Sequence, residues 1–538
     1  MSRRAAGACQ QPKEPAMSAV DTYVEAIVRR AREPMEPHGF EPDWADQPRR
    51  HKYYPGAEHH PLPSAAPLPG TLEEGLDPVR DVDAVGRWSV ESLSSLLRDS
   101  YGLTGRRLAV HGNPDLRGMP WYPSATWSRG TASGGGLYPL EIYWVAGAGG
   151  PLTPGVYNYS SPHHSMQRLL TGDVSAHVHR ALPEGAPYSG QYLLVSVKFW
   201  KNSFKYNSFS YHAVTMDLGT LLGTWRANAR AAGLDLRPHL WFDEPALDRL
   251  LGLDPTDESV MAVIPLPWQD GGPAAPSPPA GSPSVQLPES ERSRATVRFS
   301  QVTEAHEQTL DAPAVEPEPR RFEGVRGPVP SSGADEHRLP VPRPLDTSLI
   351  TALRERRSSF GRFSSSTRME PQELSTVLAA ADRATGLVNG SGTSRTAVFV
   401  NHVADLAPGA YDHVPGTSAL RRVREGPVAD FLQSNYFLNN YNLEQCAAVL
   451  TVVARPTAVT SAVGPRGYRL ANAEVGAVAQ SVYLACAALG LGCGAALGFD
   501  NVSYRDELRI EDRHEWPLLI LMIGHERTGQ PEFVYRND

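Results

Sequence analysis

Cysteine is scarce in this chain, and the few cysteines form no recognisable pattern. The 538 residues include four, at positions 9, 446, 486 and 493. None belongs to a CxxC pair or lies beside suitably spaced histidines, which excludes a disulfide framework and a zinc ligand set. Such scarcity is typical of proteins in a reducing compartment, and we expect a cytoplasmic location.

An excess of basic residues is also lacking. The chain has 51 Lys and Arg against 59 Asp and Glu, a formal net charge of −8. No run of basic residues interleaved with aromatics provides the footprint that a phosphate backbone needs. The composition therefore argues against a nucleic-acid partner.

A convincing membrane span is missing as well. The N-terminus has positive charge but no apolar segment behind it, so it does not resemble a secretory signal. Residues 475–499 are uncharged, yet they are rich in Ala and Gly and are interrupted by Gln480 and Ser481. Three glycines break the second half of this stretch. The pattern predicts a buried helix, a turn and a short strand rather than a bilayer crossing.

Composition divides the chain into four parts. Residues 1–84 are rich in Pro and charge and form an arm, with one amphipathic helix predicted in DTYVEAIVRRARE. Residues 271–345 are dominated by Pro, Gly, Ser and charge, the composition of a linker. Two domains, 85–270 and 346–538, should flank this linker.

Internal repeats give stronger support for the division. A stretch that begins YHAVTMDLGTLLG at Tyr211 aligns without gaps with YRLANAEVGAVAQ at Tyr468, and the match places Asp217 against Glu474. Two shorter repeated motifs, LSxxL and LxPGxY, occur in the same order in both halves. Each half reads as a helix, a hairpin region, a long apolar helix and buried strands. The sequence therefore predicts an α+β fold made by tandem duplication.

A glycine-rich segment precedes the alternating strand LEIYWV of the first half. Ser133, Gly134, Gly135 and Gly136, which we call the Gly loop, could bring backbone N–H groups close to a flat ligand. A flexible hairpin turn explains the same residues equally well.

The second half begins with a cluster of arginines and serines. Residues 354–363, RERRSSFGRF, which we call the phosphate segment, follow a predicted short helix. Arg forks and Ser hydroxyls suit a phosphate monoester because charge-assisted hydrogen bonds can be bidentate. A solvated basic patch is the alternative, and these residues alone do not decide between the two.

Taken together, the motifs RRSSFGRF, SGGGLYPLEIY, LTPGVYNY and GYRLANAEVGAVAQSVYLACAALGLGCGAALGFD resemble the nitroreductase superfamily. Within it they are most similar to the SagB-like azoline dehydrogenases of ribosomal peptide biosynthesis. The resemblance covers about residues 85–270 and 346–530. It implies that both halves have the FMN-dependent nitroreductase fold and form a pseudo-dimer within one chain.

The resemblance also implies an FMN site made by both halves. Its phosphate would be held by Arg356, Arg357, Ser358, Arg362 and Arg527. Gly498 and Phe499 would line the isoalloxazine, and the Gly loop would close the site from the first half.

Azoline dehydrogenases resemble one another in a Lys-Tyr pair before the long helix, and here Lys205 and Tyr206 stand at that place. The resemblance assigns them the catalytic role, with Lys205 as base and Tyr206 as its orienting partner. A solvated lysine beside a packed tyrosine is the plain structural alternative. The second half has Ala462 and Val463 instead, so one complete site per chain is expected.

The resemblance implies a dehydrogenase that oxidises peptide thiazolines and oxazolines to thiazoles and oxazoles. The expected partners are a modified precursor peptide and a cyclodehydratase complex, and the chain could also form a homodimer. Two other functions stay open. One is an NAD(P)H-dependent nitro- or quinone reductase, and the other is a flavin-free scaffold that binds a peptide or a cyclase.

Overall fold

The structure is a computed structural model that describes residues 17–81, 85–108, 125–269, 281–328, 335–388, 390, 392–527 and 533–537. Its helices are α1 (Ala19–Arg29), α2 (Leu72–Leu76), α3 (Val90–Ser100), α4 (Ser175–Ala181), α5 (Trp200–Tyr206), α6 (Ser210–Ala232), α7 (Glu244–Leu251), α8 (Ser300–Asp311), α9 (Leu349–Glu355), α10 (Pro371–Ala384), α11 (Ala429–Ser434), α12 (Pro456–Val463), α13 (Arg466–Leu489) and α14 (Asn501–Glu507).

The strands are β1 (Glu58–Pro61), β2 (Gly105–Leu108), β3 (Ala125–Ser128), β4 (Leu140–Ala146), β5 (Gly155–Ser160), β6 (Ser165–Thr171), β7 (Gln191–Lys198), β8 (Glu258–Pro265), β9 (Glu336–Arg338), β10 (Ser394–Val400), β11 (Gly409–His413), β12 (Ala419–Glu425), β13 (Ala448–Ala454), β14 (Gly492–Ala496), β15 (Trp516–Gly524) and β16 (Phe533–Arg536).

The two large sheets have the same topology. In the first half the order is β1-β6-β5-β4-β7-β8, and in the second it is β9-β12-β11-β10-β13-β15-β14. Strands β4 to β8 thus correspond in order to β10, β11, β12, β13 and β15, and all of these neighbours pair antiparallel. The predicted α+β tandem duplication is confirmed.

The repeated motif LxPGxY forms the same local structure in both halves. Tyr157 and Tyr411 each lie at a register shift between the second and third strands of their sheet. Each hydroxyl donates to a backbone carbonyl four residues earlier, at 2.5 Å to Thr153 and 2.7 Å to Ala407. The repeat therefore preserves a bulge and its supporting hydrogen bond, features that shape a strand edge.

The two long helices α6 and α13 cross at the centre of the molecule. A Cβ on Gly219 would lie 1.7 Å from the backbone oxygen of Ala473, and one on Gly476 would lie 1.9 Å from that of Met216. These contacts are reciprocal under the repeat alignment. Only glycine allows the two backbones to approach this closely, so the halves pack as an intrachain pseudo-dimer.

The uncharged stretch 475–499 has the structure its glycines predict. Helix α13 ends at Leu489, Gly490 follows it in the left-handed conformation at φ 71°, and β14 begins at Gly492. Among the residues that the structure describes, no helix combines the length and apolar character of a bilayer crossing.

The arm and the linker contain more structure than their composition indicates. The helix predicted in the arm is α1, but the arm also supplies β1 to the first sheet and α2 against α6. Within the predicted linker, α8 buries Val302, Ala305 and His306, and β9 pairs with β12. The linker prediction is wrong for these segments because a few apolar residues at helical spacing suffice to anchor a helix. Residues 271–280 and 329–334 lie outside the described ranges.

Candidate functional site

A buried carboxylate on α6 holds the Gly loop. The Ser133 hydroxyl donates to Asp217 at 2.6 Å, and the Gly134 backbone N–H donates to the same carboxylate at 2.8 Å. Burial raises the pKa of Asp217 to about 7. In the second half Glu474, its repeat partner, accepts from the backbone N–H of Ser394 at 2.7 Å. The same device therefore fixes the corresponding loop in each half.

The Lys-Tyr pair lies at the end of α5 and meets the Gly loop. The Lys205 ammonium lies 4.8 Å from the ring centre of Tyr206. A Cβ added to Gly135 would come within 2.4 Å of the Tyr206 hydroxyl and 3.0 Å of Lys205 Nζ. The absence of a side chain at Gly135, where φ is +64°, thus lets two segments that are separate in sequence come together.

A buried ion pair fixes α5 against the strand that follows the Gly loop. Lys201, one turn before Lys205, donates to Glu141 of β4 at 2.7 Å. Their side chains are 4% and 7% exposed, so an unpaired partner would be left charged in the protein interior. Burial lowers the pKa of Lys201 and raises that of Glu141, although each partner opposes the shift of the other. The pair sets the position of Lys205 relative to the Gly loop.

The phosphate segment begins in the last turn of α9, and four of the five residues proposed to hold the phosphate lie near one another here. Arg357 forms a bidentate ion pair with Glu526, with one hydrogen bond of 2.8 Å. The backbone N–H of Arg527 donates to the Arg362 carbonyl at 2.7 Å. Ser358 lies within hydrogen-bond distance, 2.9 Å, of the hydroxyl of Tyr483. Three guanidinium-bearing residues and one hydroxyl thus share this end of the second half.

Arg356 has a different environment. Its guanidinium is buried and donates to the backbone carbonyls of Gly130 and Arg129, at 2.8 and 2.9 Å. Those carbonyls belong to the segment just before the Gly loop. Arg356 therefore joins the two halves, and these bonds occupy two of the donors that the prediction assigned to the phosphate.

Helix α13 brings the two halves of the site together. Gln480 accepts from the Ala132 backbone N–H and donates to the Gly130 carbonyl, both at 3.0 Å. Tyr483, three residues later on the same face, contacts Ser358. The Gly loop and the phosphate segment are thus supported by adjacent side chains of one helix, at the interface between the halves.

Gly498 and Phe499 follow β14 and differ in exposure. A Cβ on Gly498 would meet Leu438 at an ordinary contact distance of 3.5 Å, and the Gly498 carbonyl accepts from Phe437 at 2.8 Å. The Phe499 side chain is fully buried, with its ring centre 4.8 Å from that of Tyr504. That Phe499 lines a flavin stays a prediction, and with its side chain in the core the contact would fall to its backbone.

Two further residues connect the loop around Gly498 with the first half. Arg30 of the arm donates to the Leu497 carbonyl and to Asn501, the latter at 2.6 Å, while its guanidinium lies 4.7 Å from the ring centre of Phe209. Burial lowers the pKa of Arg30 to about 10. Burial also raises the pKa of Tyr436, and nearby Tyr206 contributes to that rise. The Lys-Tyr pair therefore lies near the second half.

Comparison with known proteins agrees with this geometry. The model of the nitroreductase family matches residues 353–525. These residues form a nitroreductase domain. The provisionally named nitroreductase MJ1384 of Methanocaldococcus jannaschii is 31% identical over 129 residues, 24% of this chain and 63% of that protein. The trifolitoxin-processing protein TfxB of Rhizobium leguminosarum bv. trifolii is 28% identical over 141 residues, 24% of this chain and 37% of that protein. The chain thus spans less than two thirds of either relative.

A solved structure extends the likeness to both halves. A protein from Anabaena variabilis, described provisionally as a nitroreductase, superposes with a TM-score of 0.68 at 23% identity and covers 95% of this chain and 100% of that one. At this identity the match shows the fold. The nitroreductase fold therefore extends over the chain, and its duplication is the tandem arrangement described above.

The corresponding place on the other side of the pseudo-dimer is filled. The repeat alignment puts Trp241 where the nitroreductase domain has Gly498, and this indole is buried. Ala462 and Val463, at the Lys-Tyr positions, pack against a cluster that contains Val325 of the linker. Arg326 donates to the Ser394 carbonyl at 2.8 Å. Bulky residues and the linker thus lie at the positions that correspond to Gly498 and the Lys-Tyr pair.

Sequence reasoning missed several residues that build the site. Asp217 was matched to Glu474 by the repeat, but its role in holding the Gly loop was not inferred. Gln480 was noted as a polar interruption of an apolar stretch, and that was the available signal, since a buried amide needs partners. Arg30 and Lys201 gave no local signal because their partners are distant in sequence.

Proposed function

We propose that the chain is an FMN-dependent dehydrogenase that oxidises thiazoline or oxazoline rings of a peptide to thiazoles or oxazoles. The contact of Lys205 and Tyr206 with Gly135 carries this proposal. It puts a basic side chain beside a backbone loop suited to a flat cofactor. The nitroreductase family and the peptide-processing name of one relative support the same class of reaction.

The residues present fit FMN. Arg357, Ser358, Arg362 and Arg527 would hold the phosphate through charge-assisted hydrogen bonds. The flat ring needs surfaces without side chains, and a Cβ on Gly136 would meet nothing within 4 Å. Gly498 on the opposite half likewise has only an ordinary contact beside it. Bound FMN would supply the acceptor for the hydride that leaves the azoline ring.

Lys205 would take the proton in this reaction. Aromatising an azoline removes a proton from the former Cα and a hydride from the adjacent ring carbon. In its amine form Lys205 Nζ accepts that proton and becomes an ammonium. The ring of Tyr206, 4.8 Å away, stabilises this cation and keeps it directed at the Gly loop. The Lys201–Glu141 ion pair holds α5 still during the transfer.

The proposed partners follow from the substrate. An azoline-bearing precursor peptide must come from an enzyme that cyclises Cys, Ser or Thr side chains, so a cyclodehydratase complex is the expected partner in the cytoplasm. The name of the relative TfxB concerns the processing of a peptide toxin, which supports a peptide substrate. Homodimerisation of the whole chain stays a prediction.

One comparison of substrates tests the function. The purified full chain, loaded with FMN, is incubated with a thiazoline-bearing peptide, and separately with NADPH and a nitroarene. We expect thiazole formation, seen as a loss of 2 Da, and slow NADPH oxidation. Fast NADPH oxidation without azole formation would establish a nitro- or quinone reductase instead. A chain that retains no flavin and leaves both substrates unchanged would support the scaffold.

A further inference from the structure

A second cleft lies in the first half, bounded by the start of α5, the loop between α7 and β8, and residues 284–303 of the linker. Its volume is about 620 Å³. Ligand sites in proteins typically measure about 300–1,000 Å³. The residues that line the cleft do not include those of the Gly loop or the phosphate segment.

Ion pairs hold this cleft in shape. Lys198 at the end of β7 binds Glu289 and Glu291 of the linker, the latter at 2.5 Å. At the other end, Arg298 binds Asp257 at 2.7 Å. Ion pairs thus hold the linker against the domain at both ends of the cleft. The space between these ion pairs is therefore preorganised.

The charges in the cleft do not balance. Three cationic side chains line it, those of Lys52, Lys198 and Arg298, against five carboxylates. The deepest pair is Lys52 and Glu258, which meet at 2.5 Å with side chains 2% and 5% exposed. The lining side chains thus carry an excess of two negative charges, which favours a cation over an anion.

The rest of the lining is mixed, with Ser, Thr and Gln side chains beside apolar ones. Tyr54, Phe199, Leu251 and Val285 line the cleft and are largely buried. Such walls suit a carbon chain, while the carboxylates suit the charged group at its end. Arginine and lysine side chains, and free alkylamines, combine these two features.

We propose that this cleft is a binding site for a guanidinium or ammonium group carried on an apolar stem. The group could belong to a side chain of a peptide or to a free amine. The site shares α5 with Lys205, because Trp200 and Ser203 form part of its wall. An occupant would therefore touch the helix that carries the proposed base.

Calorimetric titration of the full chain tests the site. The probes are agmatine, the neutral analogue N-butylacetamide, the anion hexanoate, and the peptide acetyl-Leu-Arg-Leu-amide. We expect saturable binding of agmatine or the peptide, one per chain, with no measurable binding of hexanoate. A peptide that binds more tightly than agmatine identifies a peptide side chain as occupant, and the reverse identifies a free amine.

Two matched variants locate the binding. Glu289→Gln removes one carboxylate from the cleft, whereas Glu425→Gln removes one from an exposed position on β12. We expect Glu289→Gln to weaken binding about tenfold and Glu425→Gln to leave it unchanged. Equal effects of the two variants, or no saturable binding of any cationic probe, would overturn the proposal. Because calorimetry measures binding rather than turnover, this failure is distinct from a failure of the proposed reaction.

Discussion

The two halves of this chain share one fold but differ in what they keep. Both retain the strand order, the crossing glycines and the buried carboxylate that holds a loop, Asp217 in one half and Glu474 in the other. The first half keeps the Gly loop and the Lys-Tyr pair, and the second keeps the phosphate segment. Features that the pseudo-dimer needs for packing are therefore present twice, whereas features that the proposed reaction needs are present once.

The largest expected effect concerns the Lys-Tyr pair. Lys205→Ala should reduce azole formation by roughly 10²–10⁴ because a positioned base is lost, and Tyr206→Leu should also reduce it because Lys205 loses the ring that directs it. The flavin spectrum and the melting temperature should stay unchanged. At the matching positions of the second half, Ala462→Ser and Val463→Ala should alter packing alone. If Lys205→Ala oxidises the azoline at the wild-type rate, the proposed difference between the halves is wrong.

Neighbouring glycines of the Gly loop provide a matched pair of variants. Gly135→Ala and Gly136→Ala both put a side chain at positive φ, +64° and +66°, so each should lose a similar amount of stability, about 1 kcal/mol. The added Cβ at Gly135 collides with Tyr206, whereas at Gly136 it meets nothing within 4 Å. We expect azole formation to fall roughly tenfold or more further in Gly135→Ala. Equal rates of azole formation in the two variants would show that the contact between the Gly loop and the Lys-Tyr pair does not affect the reaction.

Variants of the phosphate segment and of its partner Glu526 should change FMN affinity in opposite directions. Arg357→Ala removes a charge-assisted bond and should weaken FMN binding by about 1.5–3 kcal/mol. Glu526→Gln removes the carboxylate that pairs with Arg357 and should strengthen FMN binding, since the phosphate then competes with a weaker partner. Flavin fluorescence titration of the apoprotein measures both. Arg424→Ala, at an exposed arginine of the same half, serves as control, and unchanged affinity in Arg357→Ala would contradict the assignment.

The shared carboxylate should make the stability of the chain depend on pH. With a pKa near 7 in the folded chain against an ordinary 3.8, Asp217 keeps a proton that the unfolded chain has released between these pH values. Its contribution to the free energy of unfolding therefore falls as pH rises through this window and is constant above it. Relative to Asp217→Asn, the wild type should lose about 1.4 kcal/mol per pH unit there.

Urea denaturation of both proteins at several pH values checks this slope. Glu474→Gln should give a difference of the same sign, because burial also raises the pKa of Glu474. If the pH dependence of the unfolding free energy has the opposite sign, or if only one of the two substitutions changes it, the two carboxylates are not equivalent.

Much of the fold could be predicted from the sequence because the repeat is collinear and its helices and strands have clear periodicity. The long apolar stretch resolved correctly into α13, a turn and β14. The linker could not be judged by composition, since α8 is anchored by only a few residues such as Val302 and Ala305. Other site residues could not be placed from the sequence. The Phe499 side chain packs in the core and the Arg356 guanidinium donates to backbone carbonyls, and local sequence indicates neither contact.

The number of flavins bound per chain tests whether only one of the two related places in the pseudo-dimer forms a complete site. The full chain is saturated with FMN, freed of excess ligand and denatured, and the released flavin is measured by absorbance against protein concentration. We expect about one FMN per chain, because Trp241 and the linker fill the second place and the first half has no Arg-Arg-Ser segment upstream of its LSSLL helix. Two FMN per chain would contradict it.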